Sequence, residues 1–109
     1  MDLAYGGRRS GKTTWLIKRA AENDGLIITS NPKKAKCIFD MARKLGLNIR
    51  EPMSVHDYFR LRGSFYKQLQ CVPVMFDDAE ECLASLLEMR WIDAMTVTVD
   101  DGVVHPCII

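Results

Sequence analysis

Nine consecutive residues near the beginning of the sequence combine glycine, lysine and threonine in a pattern suited to binding phosphate: Gly6-Gly7-Arg8-Arg9-Ser10-Gly11-Lys12-Thr13-Thr14. Glycines allow the backbone to curl so that successive N–H groups point inward at an anion. The Lys12 ammonium would add a mobile positive charge at the β- and γ-phosphates of a nucleotide, and the Thr13 hydroxyl would ligate Mg²⁺. A helix that begins near Gly11 would direct the positive end of its dipole at the same anion.

The spacing of these residues fits the P-loop pattern G-x-x-x-x-G-K-[ST], which needs a strand before it and a helix after it. Residues 1–5 supply an apolar strand, and residues 14–22 supply a helical segment with few breakers. We therefore predict that residues 6–14 bind the phosphates of ATP, with Lys12 also acting in catalysis. The alternative is a glycine-rich turn that caps an ordinary helix.

A second motif, Val74-Met75-Phe76-Asp77, places a carboxylate directly after an apolar strand. Such a strand can project an acid into a phosphate site, so Asp77 is predicted to hold Mg²⁺ together with Thr13, through water. Asp78 follows where many ATPases carry a glutamate, and it is predicted to orient the attacking water. Aspartate is one methylene shorter, which weakens its reach to that water. The alternative is an acidic helix N-terminus, which the helix dipole favours in any case.

Apolar strands alternate with helical patterns along the rest of the chain, which predicts an α/β fold with a parallel sheet of about five strands sandwiched by helices. The whole chain, residues 1–109, is predicted to be one domain, with the phosphate loop at the carboxyl edge of the sheet. The strands are expected at 1–5, 26–29, 47–53, 72–76 and 94–99, followed by a short antiparallel return at 103–104. The helices are expected at 14–22, 32–45, 54–61 and 79–90, with Asn31 capping the second helix and Pro32 at its first position.

The net charge of +1 hides an uneven distribution of charged residues. Residues 1–70 carry a charge of +8 and residues 71–109 carry −7. This asymmetry is typical of a basic face that binds nucleic acid or of a dipolar surface that self-associates. Two ordinary solvated faces are the alternative.

The four cysteines are widely spaced, without a C-x-x-C pair, and the two histidines do not lie at zinc-ligand spacing: Cys37, Cys71, Cys82, Cys107, His56 and His105. Four buried thiols in a reducing cytoplasm are the expected arrangement. We expect no signal peptide, since Gly6 to Arg9 interrupts any apolar run, and no membrane span. These features together predict a cytoplasmic protein.

The motifs, taken in order, resemble the core of RecA-like P-loop NTPases, as found in the first motor domain of helicases and in the ATPase of phage terminases. GGRRSGKTT is similar to their P-loop, and FDDAE is similar to their DEAx box with Asp in place of Glu. Residues 26–31 resemble the strand that precedes a proline-led helix, and residues 95–98 resemble the strand that couples phosphate sensing to DNA contact. The likeness spans residues 3–99 and extends to small phage-encoded P-loop proteins.

The resemblance implies a protein that binds Mg-ATP and hydrolyses it slowly, aided by a partner or by forming a homo-oligomer. It further implies a role in DNA metabolism in a bacterial or phage-infected cell. We expect no second motor domain within these residues, and no arginine finger can be placed among them. Two alternatives follow: a nucleotide-gated binding module without turnover, and an accessory factor for nucleic acid. A nucleoside or nucleotide kinase ranks below both, since neither a lid nor an acceptor-site motif can be named.

Overall fold

The structure of the protein, a computed structural model, describes residues 1–7, 10–61, 72–98 and 104–107. Strands and helices alternate through these ranges, as the sequence pattern predicts. The elements are β1 (Leu3–Tyr5), α1 (Lys12–Asn23), β2 (Leu26–Thr29), α2 (Pro32–Lys44), β3 (Met53–Ser54), α3 (55–61), β4 (Val74–Phe76), α4 (Ala79–Leu86) and β5 (Val104–Pro106).

Strand β2 forms the middle of a three-stranded parallel sheet in the order β3-β2-β4. Ile28 of β2 lies opposite Met53 of β3, and Ile27 lies opposite Met75 of β4. Strands β1 and β5 form a separate parallel pair. The α/β class with a parallel sheet is therefore confirmed. A single sheet of about five strands is not observed, because the described strands divide into sheets of three and two.

Two apolar clusters pack against β2, whose successive side chains point to opposite faces of the sheet. Ile27 packs with buried residues of α1 and α2: Leu16, Ile17, Ala20, Ile38 and Ala42. Leu26 and Ile28 pack with Val55 of α3 and Cys82 of α4. Since helices cover both faces, β2 is held firmly and the residues after it emerge at the carboxyl edge of the sheet.

Helix α2 begins and ends as its sequence predicts. The Asn31 side chain accepts a hydrogen bond from the Lys34 backbone N–H at 2.9 Å, and Pro32 takes the first helical position. At the other end, the Gly46 N–H bonds the Arg43 carbonyl, and the Leu47 N–H bonds the Ala42 carbonyl. This pair of bonds is the Schellman arrangement that satisfies the last carbonyls of a helix.

The substitution Asn31→Ala is expected to lower the free energy of unfolding by about 1 kcal/mol, because it removes the N-cap acceptor of α2. Urea denaturation of the two proteins measures this difference. Asn48→Ala, in an exposed loop, is the matched control and should leave the unfolding midpoint unchanged. Equal midpoints for all three proteins would show that the cap does not stabilise the fold.

Three predicted strands differ from the observed ones. The third is limited to Met53–Ser54, since the preceding Pro52 has no N–H for a ladder. Residues 94–98 have no regular secondary structure, so the strand predicted there is wrong over the described residues. Their β propensity depends on side-chain packing, yet Val97 is 51% exposed. The last strand, β5, pairs parallel with β1 and is not an antiparallel return.

Helix α4 ends at Leu86, four residues before the predicted end. Glu88 follows with a φ of 58°, which is incompatible with continuing the helix. Cys82 faces the core as predicted, but Leu83 and Leu87 are exposed. Among the described residues, no helix combines the length and apolar character needed to cross a bilayer.

Candidate functional site

The loop between β1 and α1 has the backbone that its glycines predict. Gly11 lies in the left-handed region with φ 87° and ψ 11°, where a side chain would be strained. Helix α1 starts at the next residue, Lys12, and the Trp15 N–H bonds the Gly11 carbonyl at 2.9 Å. The N–H groups of the first turn are therefore presented beside the loop, where they could bind an anion.

The described part of the loop is closely packed and contains a buried hydroxyl without a partner. A Cβ on Gly6 would overlap the Cys107 carbonyl and the Ser10 side chain, so glycine is required at this position. Ser10 is 8% exposed, and its Oγ has no hydrogen-bond partner among the described residues. A buried hydroxyl left unpaired costs free energy, and a phosphate oxygen is a suitable acceptor for it. The loop thus fits a phosphate group.

Thr13 and Asp77 lie in contact although 64 residues separate them in sequence. The Thr13 hydroxyl donates a hydrogen bond to Asp77 Oδ1 at 3.1 Å. Lys12 Nζ donates to the Gly6 carbonyl at 2.6 Å, which holds the ammonium against the loop. A hydroxyl, a carboxylate and a lysine are thus gathered at one place, and Mg²⁺ prefers such oxygen ligands while keeping several waters. The donor set fits a Mg²⁺-bound phosphate.

Burial raises the pKa of the Asp77 carboxyl above its ordinary value, because desolvation disfavours the charged form. The hydrogen bond from Thr13 opposes this rise, neighbouring Asp78 adds to it, and the charges of Lys34 and Lys12 oppose it. Two cations from different helices therefore act on one carboxylate. A metal ion at this position would relieve the cost of keeping the buried carboxylate ionised.

This raised pKa predicts that Asp77→Asn stabilises the metal-free chain at neutral pH. Asparagine keeps an oxygen that can accept from Thr13 but removes the desolvated charge. Above the raised pKa, the folded wild type bears a charge that the unfolded chain solvates better. The advantage of the variant should therefore shrink as the pH falls through that pKa and protonates the wild type.

Urea denaturation in the presence of a chelator, at neutral and acidic pH, measures this pH-dependent difference. Asp93→Asn changes an exposed carboxylate and serves as the control. A destabilised Asp77→Asn at neutral pH, or a difference that stays constant with pH, would contradict the prediction.

Asp78, the residue predicted to orient water, caps its own helix. Its Oδ1 accepts a hydrogen bond from the Glu81 N–H at 3.2 Å, and its backbone lies at φ 54° and ψ 75°. A non-glycine residue in this region is strained, and such strain is frequent at functional sites. The Asp78 carboxylate is exposed at the same edge of the sheet as Asp77. Its orientation is set by the hydrogen bond that it accepts at the start of α4.

Three further side chains meet beside Asp77 and Asp78, and neither sequence motif predicts them as site residues. Ser30, directly after β2, donates to Glu81 Oε1 at 2.7 Å, and Lys34 Nζ lies 2.5 Å from both carboxylate oxygens of Glu81. Each of the three follows the carboxyl end of a strand or lies in the first turn of the next helix. That shared position was the available signal, since parallel strands bring such residues to one edge.

These hydrogen bonds hold Glu81 in its charged form. The bonds from Lys34 and then Ser30 lower the pKa of the Glu81 carboxyl, and burial opposes them. Ser30 itself is 5% exposed and also accepts from the Asn31 side chain at 3.3 Å. Ser85 donates to the Ser30 carbonyl, so the buried serine is fixed on both its side-chain and main-chain oxygens.

Cys82 lies under this site as an inert thiol. Its Sγ is 3.4 Å from the Asp77 carbonyl, and burial, followed by the charge of Asp77, raises its pKa to about 11. The prediction that all the thiols are buried is wrong, because Cys37 is exposed and Cys107 is half-buried. Cys71 lies outside the described residues.

The structure thus brings Gly6, Ser10, Lys12, Thr13 and Asp77 together. Arg8 and Arg9, which were predicted to bind nucleotide, lie outside the described residues, and Gly7 and Thr14 complete the described loop. No cluster of three or more histidine, cysteine or acidic ligands occurs in the described ranges. No protein-family model, curated protein or solved structure matches the chain, so the site is interpreted from its own geometry.

Proposed function

We propose that the protein is a P-loop protein that binds Mg-ATP and hydrolyses it slowly, acting with a partner or as an oligomer. The observation that supports this most is the 3.1 Å contact between the Thr13 hydroxyl and Asp77. Thr13 and Asp77 belong to two separate sequence motifs. Neither motif by itself requires the two side chains to be in contact. Their meeting is what shared ligation of Mg²⁺ requires.

Each residue has a distinct part in this function. The loop N–H groups and Lys12 bind the phosphates, and the Ser10 hydroxyl gains an acceptor when a phosphate oxygen lies in the loop. Thr13 would ligate Mg²⁺ directly and Asp77 through water, and the metal would neutralise charge on the terminal phosphates. Asp78 would orient water for attack on the terminal phosphate once its carboxylate is released from the helix cap.

Thermal unfolding tests whether a nucleotide binds the folded chain. At a ligand concentration about 100 times the Kd, Mg-ATP should stabilise the protein by roughly 2.7 kcal/mol. Mg-AMP, which lacks the distal phosphates, is the matched control and should have little effect. The proposal would be wrong if Mg-ATP and Mg-AMP at equal concentrations left the unfolding temperature equally unchanged.

The position of Asp78 favours a second candidate function, a nucleotide-gated binding module without turnover. One oxygen of its carboxylate, Oδ1, caps α4, so the helix sets the orientation of the group. This candidate predicts tight Mg-ATP binding with phosphate release at the level of a protein-free blank. Measurable release, lost in Asp78→Ala while Mg-ATP affinity is retained, would instead support the slow ATPase.

A further inference from the structure

A second lysine stands beside the proposed phosphate site but outside the P-loop. Asn31 fixes the first turn of α2 by accepting from the Lys34 N–H at 2.9 Å, which places Lys34 at the carboxyl edge of the sheet. The Lys34 ammonium contacts Glu81, whose own N–H bonds the Asp78 carboxylate at 3.2 Å. A continuous chain of polar contacts therefore connects Lys34 through Glu81 to Asp78.

Asp77 lies at the same edge of the sheet as Lys34, because its backbone N–H bonds the Ile28 carbonyl of β2 at 2.9 Å, two residues before Ser30, which shares Glu81 with Lys34. Thr13 of α1 contacts Asp77 directly, and Lys34 belongs to the first turn of α2, the helix that follows β2. The loop and Lys12 approach the phosphates from the β1 side. A polyphosphate held by the loop and extending past Asp77 would bring its terminal phosphate to the edge of the sheet at which Lys34 lies.

In the ligand-free chain Lys34 pairs with Glu81, and a phosphate could replace Glu81 as its anionic partner. Lys34 and Glu81 are 45% and 40% exposed in their side chains, and exposed ion pairs are weak. Glu81 keeps the hydrogen bond from Ser30 when Lys34 leaves, so its carboxylate still has a donor. A lysine on a flexible four-carbon stem can exchange one anion for another at small cost.

We propose that Lys34 is a specificity residue that binds the terminal phosphate of a nucleoside triphosphate and that Glu81 restrains it until that phosphate arrives. This proposal rests on the proposed function of the P-loop. It implies that the site distinguishes triphosphate from diphosphate through Lys34, whereas Lys12 and the loop serve both ligands. It further implies that Lys34 and Glu81 affect triphosphate affinity in opposite directions.

Calorimetric titration with Mg-ATP and Mg-ADP tests the proposal without depending on turnover. Lys34→Met should weaken Mg-ATP binding by about fivefold, the effect of losing one partly exposed charge contact, and leave Mg-ADP binding unchanged. Lys34→Arg should retain most of the Mg-ATP affinity. Glu81→Gln, which keeps an acceptor for Ser30, should strengthen Mg-ATP binding but not Mg-ADP binding. Lys33→Met, an exposed lysine in the same turn, is the control for lost surface charge.

An unchanged ratio of Mg-ATP to Mg-ADP affinity in Lys34→Met would overturn the assignment of Lys34. If Lys12→Ala still loses Mg-ATP binding in that case, the proposed P-loop site stands without Lys34. Equal Mg-ATP affinity in the wild type and Lys12→Ala would overturn the proposed site, and the assignment of Lys34 with it. Urea denaturation of each variant separates these outcomes from a failure to fold.

Discussion

Lys12→Ala is expected to weaken Mg-ATP binding by about 100-fold, which corresponds to roughly 2.7 kcal/mol. Lys12 lies in a loop closed at Gly6 and starts the helix whose N–H groups face the same site. Alanine keeps the helix but removes the cation that meets the phosphates. Among the described residues the lysine donates to a loop carbonyl, so its loss should affect binding far more than folding.

Isothermal titration calorimetry with Mg-ATP measures the effect of Lys12→Ala. Lys18→Ala removes an exposed lysine from the same helix and provides the control for net charge. The control should bind as the wild type does. Equal affinities for Lys12→Ala and Lys18→Ala would show that the loop does not hold the phosphates.

Asp77→Asn should change the affinity for ATP in opposite directions with and without Mg²⁺. With Mg²⁺ present, we expect about 30-fold weaker binding, or roughly 2 kcal/mol, because the carboxylate that supports the metal is lost. In a chelator, the variant should bind ATP at least as well as the wild type, since it no longer places a negative charge beside the phosphates. The sign of the effect thus depends on the metal.

Titrations of the wild type and Asp77→Asn in Mg²⁺ and in chelator give the four affinities that this prediction needs. Asp93→Asn again controls for the loss of one negative charge at an exposed position. A uniform loss of affinity in both conditions would indicate that Asp77 supports the loop structurally and has no part in holding Mg²⁺.

The local structure around the loop could be predicted from sequence because neighbouring residues determine it. Gly11 in a left-handed conformation, the start of α1 at Lys12 and the cap of α2 by Asn31 all depend on residues within one helical turn. The pairing of Thr13 with Asp77 was predicted for another reason, since both residues were expected to hold one metal ion. The expected chemistry therefore linked two distant segments that propensity alone leaves unconnected.

The association of Lys34, Ser30 and Glu81 could not be read in the same way. Lys34 and Glu81 lie 47 residues apart, and their contact depends on how β2 and β4 pair in the sheet. Residues 94–98 show the opposite failure, in which a local preference for strand is not matched by packing around Met95 and Val97. Strand pairing depends on contacts between distant segments. The alternation of strands and helices in the sequence therefore could not predict the division into two sheets.

Asp78 occupies a position at which a helix cap and a proposed water-orienting acid coincide. Its position after β4 matches that of a water-orienting acid, and its side chain also satisfies the N–H of Glu81. Aspartate is a strong N-cap residue, whereas glutamate is not among the preferred caps. The replacement of the expected glutamate by aspartate therefore stabilises α4 at the expense of reach toward a phosphate.

Mg-ATP is proposed to bind where the β1–α1 loop meets the acids after β4. Amide chemical shifts of the wild-type protein, recorded during a titration with Mg-ATP, locate its binding residue by residue. We predict saturable shift changes at residues 6–14 and 77–81, with smaller changes in the first turn of α2. The absence of saturable changes, or changes confined to other parts of the chain, would contradict the account.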